Sequence, residues 1–168
     1  SPITFDYAVA NHCNIMSWPF SMPFAEAEKY KAQLDEAIET AGNGWDGTFA
    51  MMRHTAVYDN ADDRTATLGA IRSALGRFGN LMMKKGDVVN GFPDPVPLEE
   101  LEGNVRVDPA MLEQNLAFGS PEEVIAKLRA YEALGVDAFI YYASMGLDMD
   151  IQKRSLNLFI NEVMPEFA

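Results

Sequence analysis

The sequence predicts an α/β fold in which parallel strands alternate with helices, in a set too small to close a sheet by itself. Three observations carry this reading. A capped helix running into a short apolar strand occupies 118–142. A long apolar segment at 48–58 has no consistently polar side. Apolar residues recur at helical spacing between such segments, giving the order α-β-α-β-α-excursion-α-β-α. Alternation of this kind implies parallel strands joined by right-handed crossovers. Only three strands are legible, whereas an ordinary sheet has roughly five and a complete (β/α)₈ barrel takes about 250 residues. The 168 residues therefore read as βα units cut from a larger design.

Ser1-Pro2-Ile3-Thr4-Phe5 opens a short helix that turns Phe5, Ala8 and Val9 inward. Ser1 stands at its cap and Pro2 at the first helical position. Cys13 to Trp18 reads as a short buried strand stopped by Pro19. Pro23 precedes a helix over 24–41 with Ala27, Tyr30, Leu34, Ala37, Ile38 and Ala41 on one face, ended by Gly42-Asn43-Gly44. In 48–58, Phe49, Met51 and Val57 lie on one side and Met52, Ala56 and Tyr58 on the other, so both faces are expected to be covered.

Asn60 and Asp63 begin a helix in which Leu68, Ile71, Leu75 and Phe78 line up. From about 79 to 107 the periodicity fails. Gly86, Gly91, Pro93, Pro95 and Pro97 mark an irregular excursion whose length suits a functional or interface role. Asp108-Pro109 caps a short helix reaching roughly 116. Phe118-Gly119 reads as a loop. Ser120 and Glu123 then have capping-box spacing, with Pro121 at the first helical position. Val124, Ile125, Leu128, Tyr131 and Leu134 form the buried stripe, and Gly135 ends the helix in the left-handed region. The apolar run 136–142 is the third strand. Residues 151–163 close the chain as a helix carrying Leu158 and Phe159, with Ile151 and Leu156 as further candidates for its apolar face, before Pro165.

Composition narrows the function. The chain suits one soluble domain, with no apolar run able to span a bilayer and no basic-then-apolar leader, so no membrane role is expected. A net charge of −12 disfavours nucleic acid, and the densest basic run is Lys84-Lys85. Cys13 is the only cysteine, which excludes an internal disulfide and is consistent with a reducing, cytoplasmic setting. The first residue is Ser1 rather than Met, so the sequence is read as a processed product or a piece of something longer.

Four blocks together resemble the bacterial-luciferase-like flavin monooxygenases. They are Ser1-Pro2-Ile3-Thr4-Phe5-Asp6-Tyr7-Ala8 with Asn14-Ile15-Met16; Ala56-Val57-Tyr58-Asp59 before an acidic helix start; Phe118-Gly119-Ser120-Pro121-Glu122-Glu123-Val124 with Gly135-Val136-Asp137; and Gln152-Lys153-Arg154-Ser155-Leu156-Asn157-Leu158-Phe159 with Glu162-Val163-Met164-Pro165-Glu166-Phe167. The resemblance implies the C-terminal part of a (β/α)₈ barrel, a single domain over 1–168. It implies oxidation of an organic substrate by reduced FMN and dioxygen, usually in a dimer. Two other outcomes stay open: a non-catalytic half-barrel that self-associates, and a deazaflavin-dependent fragment. The expected partners are a second copy, or the missing N-terminal half of the barrel.

The same resemblance suggests Ser1 and Thr4 as contacts to the FMN phosphate, where a hydroxyl-bearing turn and the free N–H groups of a helix start meet an anion. An ordinary N-cap explains the same residues. Trp18, at the C-terminal end of a strand, is a candidate wall for a flavin or substrate pocket, or packs under the neighbouring loop. His54 titrates near neutrality but has no partner at a telling spacing, and reads as a core or interface histidine. His12 has no second metal ligand at a suitable interval, so no metal is expected. Asp62-Asp63 and Glu99-Glu100 read as solvated acids. No Walker loop, G-x-S-x-G, H-E-x-x-H or C-x-x-C occurs, and no catalytic residue is assignable.

Overall fold

The computed structural model describes residues 1–83, 87–94, 96–143 and 145–167. Lys84, Lys85, Gly86 and Pro95 of the expected excursion lie outside them. Helix α1 (Pro2–Ala10), strand β1 (Ile15–Ser17), helix α2 (Phe24–Ala41), strand β2 (Phe49–Val57) and helix α3 (Ala61–Met83) follow one another. A small antiparallel hairpin, β3 (Val88–Val89) and β4 (Phe92–Pro93), and 3₁₀ turns at Leu98–Leu101 and Val105–Val107 make up the excursion. Then come α4 (Pro109–Asn115), β5 (Ala117–Gly119), α5 (Pro121–Leu134), β6 (Ala138–Tyr142) and α6 (Met149–Leu158). The last helix runs on through a π turn (Phe159–Val163) and a 3₁₀ turn (Met164–Phe167).

Strand β2 is the centre of a parallel sheet. It pairs with β1 over Ile15↔Phe49 to Ser17↔Met51, and with β6 over Ala50↔Ala138 to His54↔Tyr142. The Thr48 carbonyl accepts from Ile15 N at 2.8 Å and the Phe49 carbonyl from Asp137 N at 2.9 Å. Consecutive carbonyls leave a strand on opposite sides, so β1 and β6 flank β2. Farther along, β5 pairs over Thr55↔Ala117 to Val57↔Gly119. Among the described residues β1 and β6 pair only with β2, which leaves one edge of each without a neighbour.

Two expectations need correction. Four strands share the sheet rather than three, because Phe118-Gly119 belongs to β5 and not to a loop. Three residues are too few to display a period, and it is pairing with β2 that makes them a strand. The excursion also begins after Met83 rather than near Gly79. Leu81 and Met82 are exposed, so the last turns of α3 have no inward stripe to read.

Phe49, Met51 and Val57 face a core built with Val9, Leu34, Val124, Leu128 and Val163 from α1, α2, α5 and the closing helix. Ala56, Tyr58 and Phe118 meet Leu68, Ile71, Leu112 and Leu116 from α3 and α4. The remaining stretch of sheet surface is different. Met52 and Ile140 are only partly buried, belong to neither cluster, and lie near Met16, which is 59% exposed. That face of the sheet is open.

The β5–α5 junction is the best-made local structure. Ser120 Oγ accepts from Glu123 N, while Glu123 Oε2 accepts from Ser120 N at 2.8 Å. Gly119 has φ +145°, and a Cβ there would stand 2.5 Å from Glu123 Oε2. Gly119→Ala must therefore push the carboxylate out of the capping box. A loss of about 1–2 kcal/mol in urea unfolding is expected, and an unchanged midpoint would show that the box is dispensable.

Candidate functional site

Alternation along a strand sends neighbouring side chains to opposite faces, and at Arg53-His54 this separates a structural role from a candidate chemical one. Arg53 is completely buried. Its Nε donates to Tyr131 Oη at 2.6 Å, Nη1 to the Phe20 carbonyl and Nη2 to the Met22 carbonyl, both at 2.9 Å. No carboxylate pairs with it among the described residues. The guanidinium thus ties the loop after β1 to β2 and α5, and holds Phe20 in its left-handed conformation (φ +50°).

On the other face, His54 stands opposite Tyr142 in the β2–β6 register, with ring centroids 4.6 Å apart. Trp18, one residue past β1, meets Tyr142 edge-on at 5.2 Å and His54 at 5.7 Å. Phe20 stacks on Trp18 at 4.1 Å and reaches Phe78 of α3 at 5.4 Å. These rings gather at the C-terminal ends of β1 and β6, level with His54 in the middle of β2. That is the end on which parallel barrels build their sites, because the loops that follow the strands converge there.

Two polar atoms in this cluster lack hydrogen-bond partners although they are buried, Trp18 Nε1 and His54 Nδ1. Buried polar groups are nearly always paired, so each asks for an explanation. Burial, and then the positive charge of Arg53, push the His54 pKa down to about 4, so the imidazole is neutral at pH 7.

Ser1 and Thr4 lie at the exposed N-terminus of α1, joined Oγ to Oγ1 at 3.1 Å. Ser1 occupies the N-cap but makes no side-chain cap bond, its hydroxyl pairing instead with Thr4. Asn43 Nδ2 donates to the Val9 carbonyl and Trp45 Nε1 to the Cys13 carbonyl. These bonds fix the far end of α1 at the start of β2.

Trp18 packs on Phe20 of the following loop, which is one of its two expected roles, and it also touches His54 and Tyr142. His54 is buried as expected but not satisfied. Tyr142, Phe20 and Arg53 carried no sequence signal of a site; only the β2–β6 register brings Tyr142 to His54. Asp63 is not a free acid but accepts from Arg154 Nη2 at 2.6 Å and Nε at 2.9 Å, which holds its carboxyl below the usual range. His12 lies 3.4 Å from Asp46, and no group of three metal-ligating side chains occurs among the described residues. No described helix is long and apolar enough to cross a membrane.

No protein-family model matches the chain. It is 29% identical, over 167 residues, to the oxygenase component of a flavin-dependent trigonelline monooxygenase from Acinetobacter baylyi, covering 99% of this chain and 46% of that protein. Its fold matches the monooxygenase RslO1 of Streptomyces bottropensis with a TM-score of 0.64 at 16% identity, over all of this chain and 46% of that one. An F420-dependent secondary alcohol dehydrogenase matches with a TM-score of 0.62 at 17% identity, over 97% of this chain and 46% of that one. The chain thus spans about half the length of the proteins it matches. The chain resembles part of the luciferase-like monooxygenases, and its parallel strands and helices match about half of their (β/α)₈ fold.

Proposed function

We propose that this chain is the C-terminal portion of an FMN-dependent luciferase-like monooxygenase that oxidises an organic substrate with dioxygen. The observation that carries the reading is the end-to-end similarity to an oxygenase component, met by an aromatic cluster at the mouth of the sheet. The residues present fit a flavin. The aromatic cluster beside the open face suits a planar ring, and the α1 terminus suits a phosphate.

Reduced flavin, when bound, supplies the electrons with which dioxygen is activated for oxygen transfer. The chain's own residues position and exclude water. Ser1 Oγ, Thr4 Oγ1 and the first N–H groups of α1 hold the phosphate, Trp18 walls the ring, and Arg53 fixes the loop bearing Phe20. FMN is preferred to a deazaflavin because the relative matched by sequence is a flavin-dependent monooxygenase, whereas the F420 enzyme is matched by fold alone. An oxygenase component takes its reduced flavin from a separate reductase, so a reductase is the implied partner, in a reducing cytoplasm.

FMN added to the purified chain is expected to lose fluorescence along a saturable curve, with Ser1→Ala shifting the midpoint severalfold. Failure to saturate at high FMN would leave the cofactor reading without support.

A second reading draws on the unpaired edges of β1 and β6 and the exposed Met16. Open edges and apolar faces are normally covered. A non-catalytic half-barrel would do this by forming a homodimer, while a catalytic one would take the N-terminal half of the barrel. A compact monomer in sedimentation at micromolar concentration would sink the homodimer.

A further inference from the structure

The loop between β1 and α2 is held more tightly than a connection needs to be. Three of its carbonyls in succession accept from side chains of other elements: Phe20 from Arg53 Nη1 at 2.9 Å, Ser21 from Asn115 Nδ2 at 3.1 Å, and Met22 from Arg53 Nη2 at 2.9 Å. Met22 N also closes a turn onto the Pro19 carbonyl at 2.9 Å. Water could serve such carbonyls at the surface. Phe20, between them, has φ +50°, in the left-handed region that a bulky side chain avoids. A residue so strained persists only where its surroundings over-determine it, and such strain clusters at functional sites. Its ring lies on Trp18 at 4.1 Å and against Phe78 at 5.4 Å.

Arg53 is one arm of this clamp and is fixed by the sheet. The other arm, Asn115, comes from the last turn of α4, and that turn is itself tied down. Lys127 Nζ of α5 donates to the Glu113, Leu116 and Phe118 carbonyls, which joins the end of α4 to β5. The Glu113 carboxylate accepts from Arg64 Nε at 2.5 Å and Nη2 at 2.6 Å, and from Tyr58 Oη at 2.7 Å. Donors from α3, from α5 and from the residue after β2 therefore set where Asn115 stands. Asn115 in turn sets where Ser21 stands. An amide suits the task, because it is neutral and its Nδ2 supplies the donor that a carbonyl requires.

We infer that Asn115 is a positioning residue for Trp18: through the Ser21 carbonyl it holds the loop in the strained form that keeps Phe20 stacked on the indole. The inference rests on the proposed function in that Trp18 is there a wall of the flavin site. Because α4 is also where the excursion rejoins the sheet, the same hydrogen bond links the orientation of Trp18 to the placement of the excursion's end.

The full chain carries 2 tryptophans, Trp18 and Trp45, so labelling with 5-fluorotryptophan gives one fluorine resonance for each, and Trp18→Phe assigns them. Asn115→Ala removes the donor, while Asn115→Asp keeps the shape and sets a carboxylate oxygen against the Ser21 carbonyl. In both variants the Trp18 resonance is expected to shift or split. That of Trp45, which is bonded to the Cys13 carbonyl before β1 begins, is expected to stay in place. A general loosening of the fold would move both, and circular dichroism melts confirm that the variants are folded. FMN affinity is expected to drop about threefold, as it would if the loop kept its binding form about a third of the time. In the parent chain, the Asn115 side-chain amide is expected to exchange with solvent more slowly than a free amide. A Trp18 resonance that stays in place in the folded variants, or an Asn115 amide that exchanges freely in the parent, overturns the inference. If the Trp18 resonance moves although FMN does not bind the parent, the positioning by Asn115 is upheld and the cofactor reading alone fails.

Discussion

Arg53→Met is expected to lower the unfolding midpoint by roughly 10 °C, the largest effect of any single substitution considered. Methionine fills similar volume but leaves Tyr131 Oη and the Phe20 and Met22 carbonyls without their donor. Each buried polar group left without its partner costs about 1–3 kcal/mol, so losing three donors costs roughly 3–5 kcal/mol or more. In a domain of this size each kcal/mol shifts the midpoint by roughly 2–4 °C. Arg53→Lys should fall between, since an ammonium can reach one or two of the three acceptors but lacks the planar fork. Thermal melts followed by circular dichroism test this. A methionine variant that melts with the parent would mean that the acceptors find other donors. A functional consequence follows from the same contacts. The loop carrying Phe20 loses its anchor, so ring binding should weaken in Arg53→Met even below its melting temperature.

Stability is expected to fall by about 2 kcal/mol between pH 7 and pH 5, and His54 is the reason. Its folded pKa is about 4, against roughly 6.5 in an unfolded chain. As pH drops below 6.5 the unfolded state gains a proton that the folded state refuses, so the equilibrium moves toward unfolding. The contribution is fully present above pH 6.5 and is lost progressively down to about pH 4, where the folded imidazole also protonates. His54→Phe should abolish most of this slope, because Asp63 and Glu113 have carboxyl pKa values held below the usual range. Urea unfolding of parent and variant at pH 7 and pH 5 gives the comparison. Equal slopes would refute a buried neutral histidine.

Both effects originate in adjacent residues of one strand, and the sequence shows why they were not equally legible. In 48–58 the apolar residues fall on both sides, which correctly announces a strand covered on each face, yet says nothing of what covers Arg53. A buried arginine with three neutral acceptors has no sequence signature, because the acceptors are two backbone carbonyls some thirty residues away and a tyrosine hydroxyl from α5. Ser1 and Thr4, by contrast, were visible as a helix start, since capping chemistry is local.

What the sequence determined alone was everything governed by near neighbours. The boundaries of α2, the capping box of Ser120 and Glu123, the left-handed stop at Gly135 and the Asp108 cap each depend on residues within a few positions of one another. The alternation of helices and strands likewise implied a parallel sheet. Tertiary structure alone decided that 117–119 is a strand, that β2 is central, and that Trp18, His54 and Tyr142 meet where β1 and β6 end. Those outcomes rest on hydrogen bonds and ring contacts between residues far apart in the chain. No period in a single segment encodes them, because register is a property of two strands and not of either one.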